Sequence, residues 1–242
     1  ADKTITFKHI VKSIAHSHGL HATFMPKPVF GINGSGMHVH QSLFSKKTGK
    51  NVFFDKDDKY HLSDVAKSFI RGQLNHVEEF CVLTNPTVNS YKRLVAGYEA
   101  PVYICWAAVN RSALIRIPRY SKGKDSATRA EIRSPDPSCN PYLAFAAMLF
   151  AGLDGIERKL ELTKPTEEDV YTFDDSKLEE QGIKTLPASL FEAVVQFRAS
   201  RLMKENLGDH FFYTYIEAKM KEWDNFRIQV TPWEKDMYLE KI

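Results

Sequence analysis

Apolar and polar positions alternate along this chain in two distinct rhythms. Near the start, Ile10, Val11, Ile14 and Ala15 recur at helical spacing after a cap at Thr4 or Thr6, and Gly19 ends the run. Residues 37–43 then alternate with period two, predicting a strand, and Val52-Phe53-Phe54 predicts another beyond the polar turn Ser45–Lys50. A second helix is expected from a Ser63 cap to about Cys81, with Ala66, Phe69, Ile70, Val77 and Phe80 as its buried stripe. Asn85-Pro86 stops it. Residues 85–101 read as an ordered loop, since two prolines and a glycine interrupt it while Tyr91, Leu94, Val95 and Tyr98 give it apolar anchors.

Three strand-like runs follow, Val102–Ala108, Ala113–Ile117 and Thr128–Ser134. Asn140-Pro141 opens a helix expected over Leu143–Leu162, in which Gly152 and Gly155 point to close packing rather than a break. Residues 163–188 form an acidic loop, and from Ala188 the pattern is helical to the end, interrupted near Asn206-Leu207-Gly208. There Phe191, Phe197, Phe211, Phe212, Tyr215 and Trp223 recur at core spacing. The fold class is therefore α+β: a curved, mostly antiparallel sheet backed by helices, with a helical carboxy-terminal extension. Residues 1–162 form the sheet-and-helix core and 163–242 the acidic loop and extension. Exposed sheet edges at both ends favour self-association.

Composition adds bounds. With 242 residues, 43% hydrophobic and 26% charged, the chain can bury a sizeable core. Cys81, Cys105 and Cys139 are odd in number without CxxC spacing, so neither a disulfide framework nor a zinc site is indicated, and a reducing cytoplasm fits. No apolar run is long enough to span a bilayer. The opening Ala-Asp-Lys reads as a processed or excised piece. A net charge of +3 is too small to argue for nucleic acid, but residues 111–133 hold seven Arg/Lys against two acids, and residues 161–192 hold nine acids against three lysines. The short basic block suits a small anion better than a long polyanion.

Two stretches carry candidate chemistry. In Gly31-Ile32-Asn33-Gly34-Ser35-Gly36-Met37-His38-Val39-His40-Gln41-Ser42, a glycine-rich turn feeds a strand on which His38, His40 and Ser42 share one face. Two imidazoles and a hydroxyl beside such a turn suit a metal and a phosphate. In Arg129-Ala130-Glu131-Ile132-Arg133, alternation buries Ala130 and Ile132 and leaves Arg129, Glu131 and Arg133 together, with Arg116 on the matching face of the preceding strand. Converging guanidinium groups need an anion to balance them, and phosphate and carboxylate match their fork. Asp55, Asp57 and Asp58 lack the pattern of a calcium loop and read as a solvated turn. His9, His16, His18 and His21 read as solvent-facing.

Lys-Pro-x-x-Gly-x-Asn-Gly-Ser-Gly-Met-His-x-His (27–40), Tyr91–Pro101, Asn110–Ala113, Arg116–Pro118, Arg129–Asp136 and the tail Phe226–Glu234 resemble, in order and spacing, elements of type I glutamine synthetases. The resemblance implies the carboxy-terminal part of that catalytic domain and ATP-dependent ligation of ammonia to L-glutamate through a γ-glutamyl phosphate. It implies that His38 and Glu131 bind Mg²⁺ or Mn²⁺. His40, Gln41 and Ser42 would meet ATP, with Arg111 and Arg116 on its phosphates. Asn33, Gly34, Arg93, Arg111 and Arg133 would hold glutamate, and Glu99 on the loop would shield the intermediate and take the ammonium proton. Glu99, Arg116 and Arg133 are thus the expected catalytic residues.

Residues 119–126 match the family weakly, leaving open whether Lys122 or Lys124 reaches the nucleotide. Tyr171 lies where some members are adenylylated, but its acidic surroundings resemble the unmodified class. The family's amino-terminal domain and first catalytic half are not in this sequence, so the chain alone is expected to hold half a site with negligible ligase activity. A homo-oligomer, a dodecamer for the full-length family, is implied. Alternatives are a regulatory or oligomerisation module binding a nitrogen-responsive transcription factor, and a glutamate–amine ligase of the same family.

Overall fold

Ser63 starts the helix on which the fold is built. Its hydroxyl accepts from Ala66 N and donates to Val52 O, so one side chain both caps α2 (Asp64–Thr84) and ties it to the preceding loop. The computed structural model describes residues 1–96, 100–119 and 123–242. Beyond α2 the described elements are α1 (Asp2–Ser17), β1 (Val39–Gln41), α3 (Ser90–Arg93), β2 (Tyr103–Ala107), β3 (Ala113–Arg116), β4 (Ala130–Ile132), α4 (Pro141–Glu157), α5 (Asp175–Glu180), α6 (Leu190–Ala199), α7 (Arg201–Leu207), α8 (Asp209–Arg227) and α9 (Pro232–Tyr238).

The sheet has the order β1-β4-β3-β2. The β1–β4 and β4–β3 pairs are antiparallel and β3–β2 is parallel. Parallel neighbours usually need a dozen or more linking residues. Here residues 108–112 suffice, because strands of four to five residues are only about 15 Å long and five extended residues reach about as far. Helices α2 and α4 pack face to face behind the sheet. A Cβ on Gly72 would lie 2.2 Å from Ala151 O, and one on Gly155 would lie 2.1 Å from Ser68 O, so the backbones touch at Gly155, while Gly152, the other glycine expected to mark close packing, meets the Phe69 ring. Phe69, Ile70, Met148 and Ala151 fill this layer, and Val194, Phe197, Phe212 and Ile216 extend the same core into α6 and α8. Among the described residues no helix is long and apolar enough to cross a membrane.

Several expectations need correction. Helix α1 begins at Asp2 without a side-chain cap, and Ile5, Ile10 and Ile14 on it are exposed. Val52–Phe54 makes one isolated bridge, Phe54 with Leu62, rather than a strand, although Phe53 is fully buried. Helix α4 ends at Glu157, five residues before Leu162. Lys159 takes φ +49, its N–H bonds Ile156 O and Leu160 N bonds Gly155 O, a Schellman ending without the usual glycine.

The acidic segment is not a plain loop. Asp174 caps α5, Asp169 caps a 3₁₀ turn at Val170–Thr172, and Glu167 accepts from Ala108 N and Val109 N. The same segment covers the β2 edge, where Ile104 N bonds Lys184 O, Leu186 N bonds Val102 O and Thr166 N bonds Trp106 O, so that edge is not exposed. The terminal helical stretch breaks twice more than expected, at Ser200 and over residues 228–231, and Phe191 is 42% exposed rather than core, resting on Trp223.

Candidate active site

Register brings the two candidate stretches together. In the ladder His40 sits opposite Glu131, and Glu131 opposite Arg116, so one face of three adjacent strands carries all three side chains. Glu131 is the hub. Its Oε1 lies 2.9 Å from His38 Nδ1 and 4.0 Å from His40 Nε2, its Oε2 accepts from Arg116 Nε at 2.7 Å, and Arg133 Nε stands 3.9 Å away. Burial alone would raise the Glu131 carboxyl, but the hydrogen bond and charge of Arg116, with His38, hold it below the ordinary carboxylate value. His38 is pulled below the usual imidazole value by burial and by Arg133, and His40 by burial, so both are neutral near pH 7 and able to donate a lone pair.

On one side of this hub lies a cavity of about 390 Å³ lined by Lys27, Asn33, Gly34, Gly36, His38, Arg93, Ala100, Arg111, Arg133 and Tyr171. Where the loop crosses its floor, Gly34 is required because a Cβ there would stand 2.3 Å from Pro26 O, and one on Gly36 would stand 2.5 Å from an Arg93 guanidinium nitrogen, so that Arg93 would have to shift. Arg93 is 7% exposed and donates to the carbonyls of Ser134, Pro135 and Arg133. Arg133 Nη1 donates to Arg111 O, while its buried Nε has no hydrogen-bond partner. Away from the cavity, Arg129 Nε donates to His40 Nδ1 at 3.1 Å.

Of the residues expected from sequence, Asn33, Gly34, Arg93, Arg111 and Arg133 share the cavity wall with His38. His40, Arg116 and Glu131 meet on the adjoining strand face. Ser42 is half-buried, one residue past β1. The Gln41 side chain does not join them. Alternation turns it to the opposite face, where it trades two hydrogen bonds with Gln73 of α2, at 2.7 and 3.2 Å, so the expected nucleotide contact is corrected for that side chain. Lys124 is exposed on its loop, and Glu99 and Lys122 lie outside the described residues. Arg129, which alternation puts with Glu131 and Arg133 but which has no role among the expected ligand contacts, meets His40 on this face. Lys27, Gly36 and Tyr171 are further wall residues absent from the expected set.

His38 and Glu131 present one imidazole and one carboxylate oxygen within bonding distance of each other, and among the described residues no group of three His, Cys, Asp or Glu could hold a metal. That donor pair fits a divalent cation completing its shell with water and substrate oxygens, as Mg²⁺ and Mn²⁺ do. Among the described residues, Arg93, Arg111, Arg116, Arg129 and Arg133 outnumber the carboxylates nearest them, Glu131 and Asp136, an excess of positive charge that matches a polyanionic ligand.

The chain is similar to known proteins along its whole length. The glutamine synthetase of Methanosarcina mazei is 54% identical over 242 residues, which is 100% of this chain and 53% of that protein; that of Thermotoga maritima is 53% identical over 239 residues, 99% of this chain and 53% of that protein. A solved structure of GmaS without ligand superposes with a TM-score of 0.86 at 37% identity, and one of a GmaS/ADP complex with 0.87 at 36%, each covering 99% of this chain and about half of the other (53% and 54%). This chain thus spans about half the length of the relatives it matches. The family model "Glutamine synthetase, catalytic domain" matches residues 1–238, and the chain belongs to the glutamine synthetase family.

Proposed function

We propose that this chain is the carboxy-terminal part of the catalytic domain of an ATP-dependent ligase joining ammonia to L-glutamate. The observation that carries the reading is the Glu131 hub, which joins an arginine-walled cavity of amino-acid size to a histidine–arginine face suited to phosphate. In this reading Arg93, Arg111 and Arg133 hold glutamate, and Arg116, Arg129 and His40 meet the nucleotide phosphates. The glutamate side-chain carboxylate attacks the γ-phosphorus, the bond to the β-bridging oxygen breaks, and ADP leaves. Ammonia then attacks the acyl carbon of the γ-glutamyl phosphate and phosphate departs, with one proton lost from nitrogen. Glu99 is assigned to that proton, and to shielding the acyl phosphate from water, by resemblance alone.

The arginines neutralise charge as it develops on the phosphoryl oxygens, where fixed donors contribute most. A divalent cation held by His38 and Glu131 would supply further neutralisation across those oxygens. The chain's cysteines, all unpaired, suit a reducing cytoplasm. Assembly into a homo-oligomer belongs to the same proposal, as does negligible ligase activity of this chain by itself.

Calorimetric titration of the chain with Mg²⁺ and a non-hydrolysable ATP analogue tests the hub. Glu131→Gln keeps the shape but removes the charge shared by His38 and Arg116, and it is expected to weaken binding by at least tenfold while circular dichroism stays unchanged. Equal binding by a folded Glu131→Gln variant would remove Glu131 from the site.

A further inference from the structure

The corner between α2 and α3 carries two asparagines that the proposed chemistry does not use. Asn85 ends α2, is fully buried, and has every polar atom engaged. Its Oδ1 accepts from Thr84 Oγ1 at 2.9 Å and its carbonyl accepts from Tyr91 Oη at 2.9 Å. Its Nδ2 donates to Ser134 O at 2.9 Å and to Asp136 Oδ2 at 3.0 Å. That Ser134 carbonyl is also the acceptor for Arg93 Nη1 at 2.7 Å, and the next carbonyl, Pro135 O, accepts from Met37 N at 2.8 Å. Asn85 therefore fixes a turn which in its own right fixes the Arg93 guanidinium and the main chain leading into His38.

Asn89 does the same for the other wall. It occupies the N-cap position of α3, yet its side chain makes no capping bond. Instead it brackets the main chain of Lys27: Lys27 N donates to Oδ1 at 2.7 Å and Nδ2 donates to Lys27 O at 2.9 Å, the two-bond pairing that a neighbouring strand would give. One residue earlier, Pro26 O accepts from Ser35 N at 2.8 Å and is the atom against which Gly34 packs, so the glycine loop closes on a segment held by Asn89. Both positions require an amide. An aspartate at 85 would set a carboxylate against Asp136, and one at 89 would lose the donor to Lys27 O.

We propose that Asn85 and Asn89 are the positioning residues of the anion cavity, Asn85 for its Arg93 wall and Asn89 for its Lys27 and glycine-loop wall. The inference rests on reading this cavity as an acidic-substrate site, but its test does not. In isotope-labelled chain, nuclear magnetic resonance follows the Arg93 Nε–Hε signal and the Gly34 and Gly36 amides. Asn85→Ala is expected to shift the Arg93 signal and speed its exchange roughly tenfold, the effect of one lost hydrogen bond. Asn89→Ala is expected to move the Gly34 and Gly36 amides and leave Arg93 in place. Asn140→Ala, which removes the α4 cap and lowers stability without touching the cavity, is the control and must leave all three signals alone.

Unmoved cavity signals in the folded variants, or movement equal to that in Asn140→Ala, would overturn the proposal. Where Asn85→Ala does not fold, the half-buried Asn89 decides by the same comparison. A parallel titration of the unmodified chain with L-glutamate reports on the substrate reading separately: no binding with the expected shifts in the variants sinks the reading and keeps the positioning roles.

Discussion

Gly155→Ala sets two known effects against each other. Alanine is the better helix former by about 1 kcal/mol, so on propensity alone the substitution stabilises α4. The structure gives the opposite sign. The new Cβ would stand 2.1 Å from Ser68 O and 2.7 Å from Gly72 Cα, both main-chain atoms of α2 with no rotamer to yield. Restoring ordinary contact requires the helices to part by about 1 Å, and a gap of that size forfeits a quarter to a half of the dispersion attraction across the facing side chains, here Phe69, Met148 and Ala151. Overpacking of this kind costs about 1–3 kcal/mol. A 2.1 Å approach to a main-chain atom puts the cost at the upper end, about 3 kcal/mol, and subtracting the propensity gain of about 1 kcal/mol leaves a net loss of about 2 kcal/mol, read as a urea midpoint lower by roughly 1 M, or a melting temperature lower by about 4–8 °C. The separation also reaches the site, because Gln73 of α2 bonds Gln41 of β1 and would draw on that strand. An unchanged or raised midpoint would refute the argument, since it would mean that the helices tolerate separation or that propensity decides.

Two further outcomes follow from the titratable groups. Burial alone would lower His76, but its hydrogen bonds to Glu79 and Asp154 raise it above the ordinary 6.5; its stabilisation is complete below pH 6.5 and is lost as pH rises through the raised value, so the difference in melting temperature between the unmodified chain and His76→Asn should shrink from pH 6 to pH 9. Burial pushes the Cys81 and Cys139 thiols up to about 12 and Cys105 to about 11; a disulfide reagent at pH 8 should therefore label native protein at a small fraction of the rate seen in urea, and rapid native labelling would contradict the burial.

The hub was legible because period-two alternation is a local rule. Arg129, Glu131 and Arg133 had to share a face wherever their strand lay, and so did His38 and His40. What alternation could not supply was partnership across 89 residues, such as Arg129 with His40, which depends on β1 pairing with β4 in one register. The same rule separates Gln41 from His40, and treating 40–42 as one contiguous contact overrode it. Helix ends were legible where a cap has a signature, as at Ser63, Asn140 and Gly19, and illegible at Lys159, where a lysine adopts the left-handed backbone that glycine would announce. The acidic segment misled for a related reason. Charge counts cannot distinguish a solvated aspartate from one that caps a turn, and Asp169 and Asp174 are caps.

Strands of three residues, which β1 and β4 are, cannot by themselves hold a cluster of like charges. Arg116 and Arg133 converge on Glu131, Arg129 meets the neighbouring His40, and Arg93 and Arg111 stand beside them, an arrangement whose mutual repulsion opposes folding. The opposition is met from the other face of the same strands. Ala130 and Ile132 are fully buried, Val39 packs against the core, and Gln41 is bonded to Gln73, which in turn donates to Met148 O of α4. The site is therefore placed by the helices behind it, and the close α2–α4 contact through Gly72 and Gly155 is part of what keeps the arginines facing one another. A sheet face prepared in this way is stabilised by the anion it binds, because ligand charge relieves a repulsion that the apolar layer otherwise opposes alone.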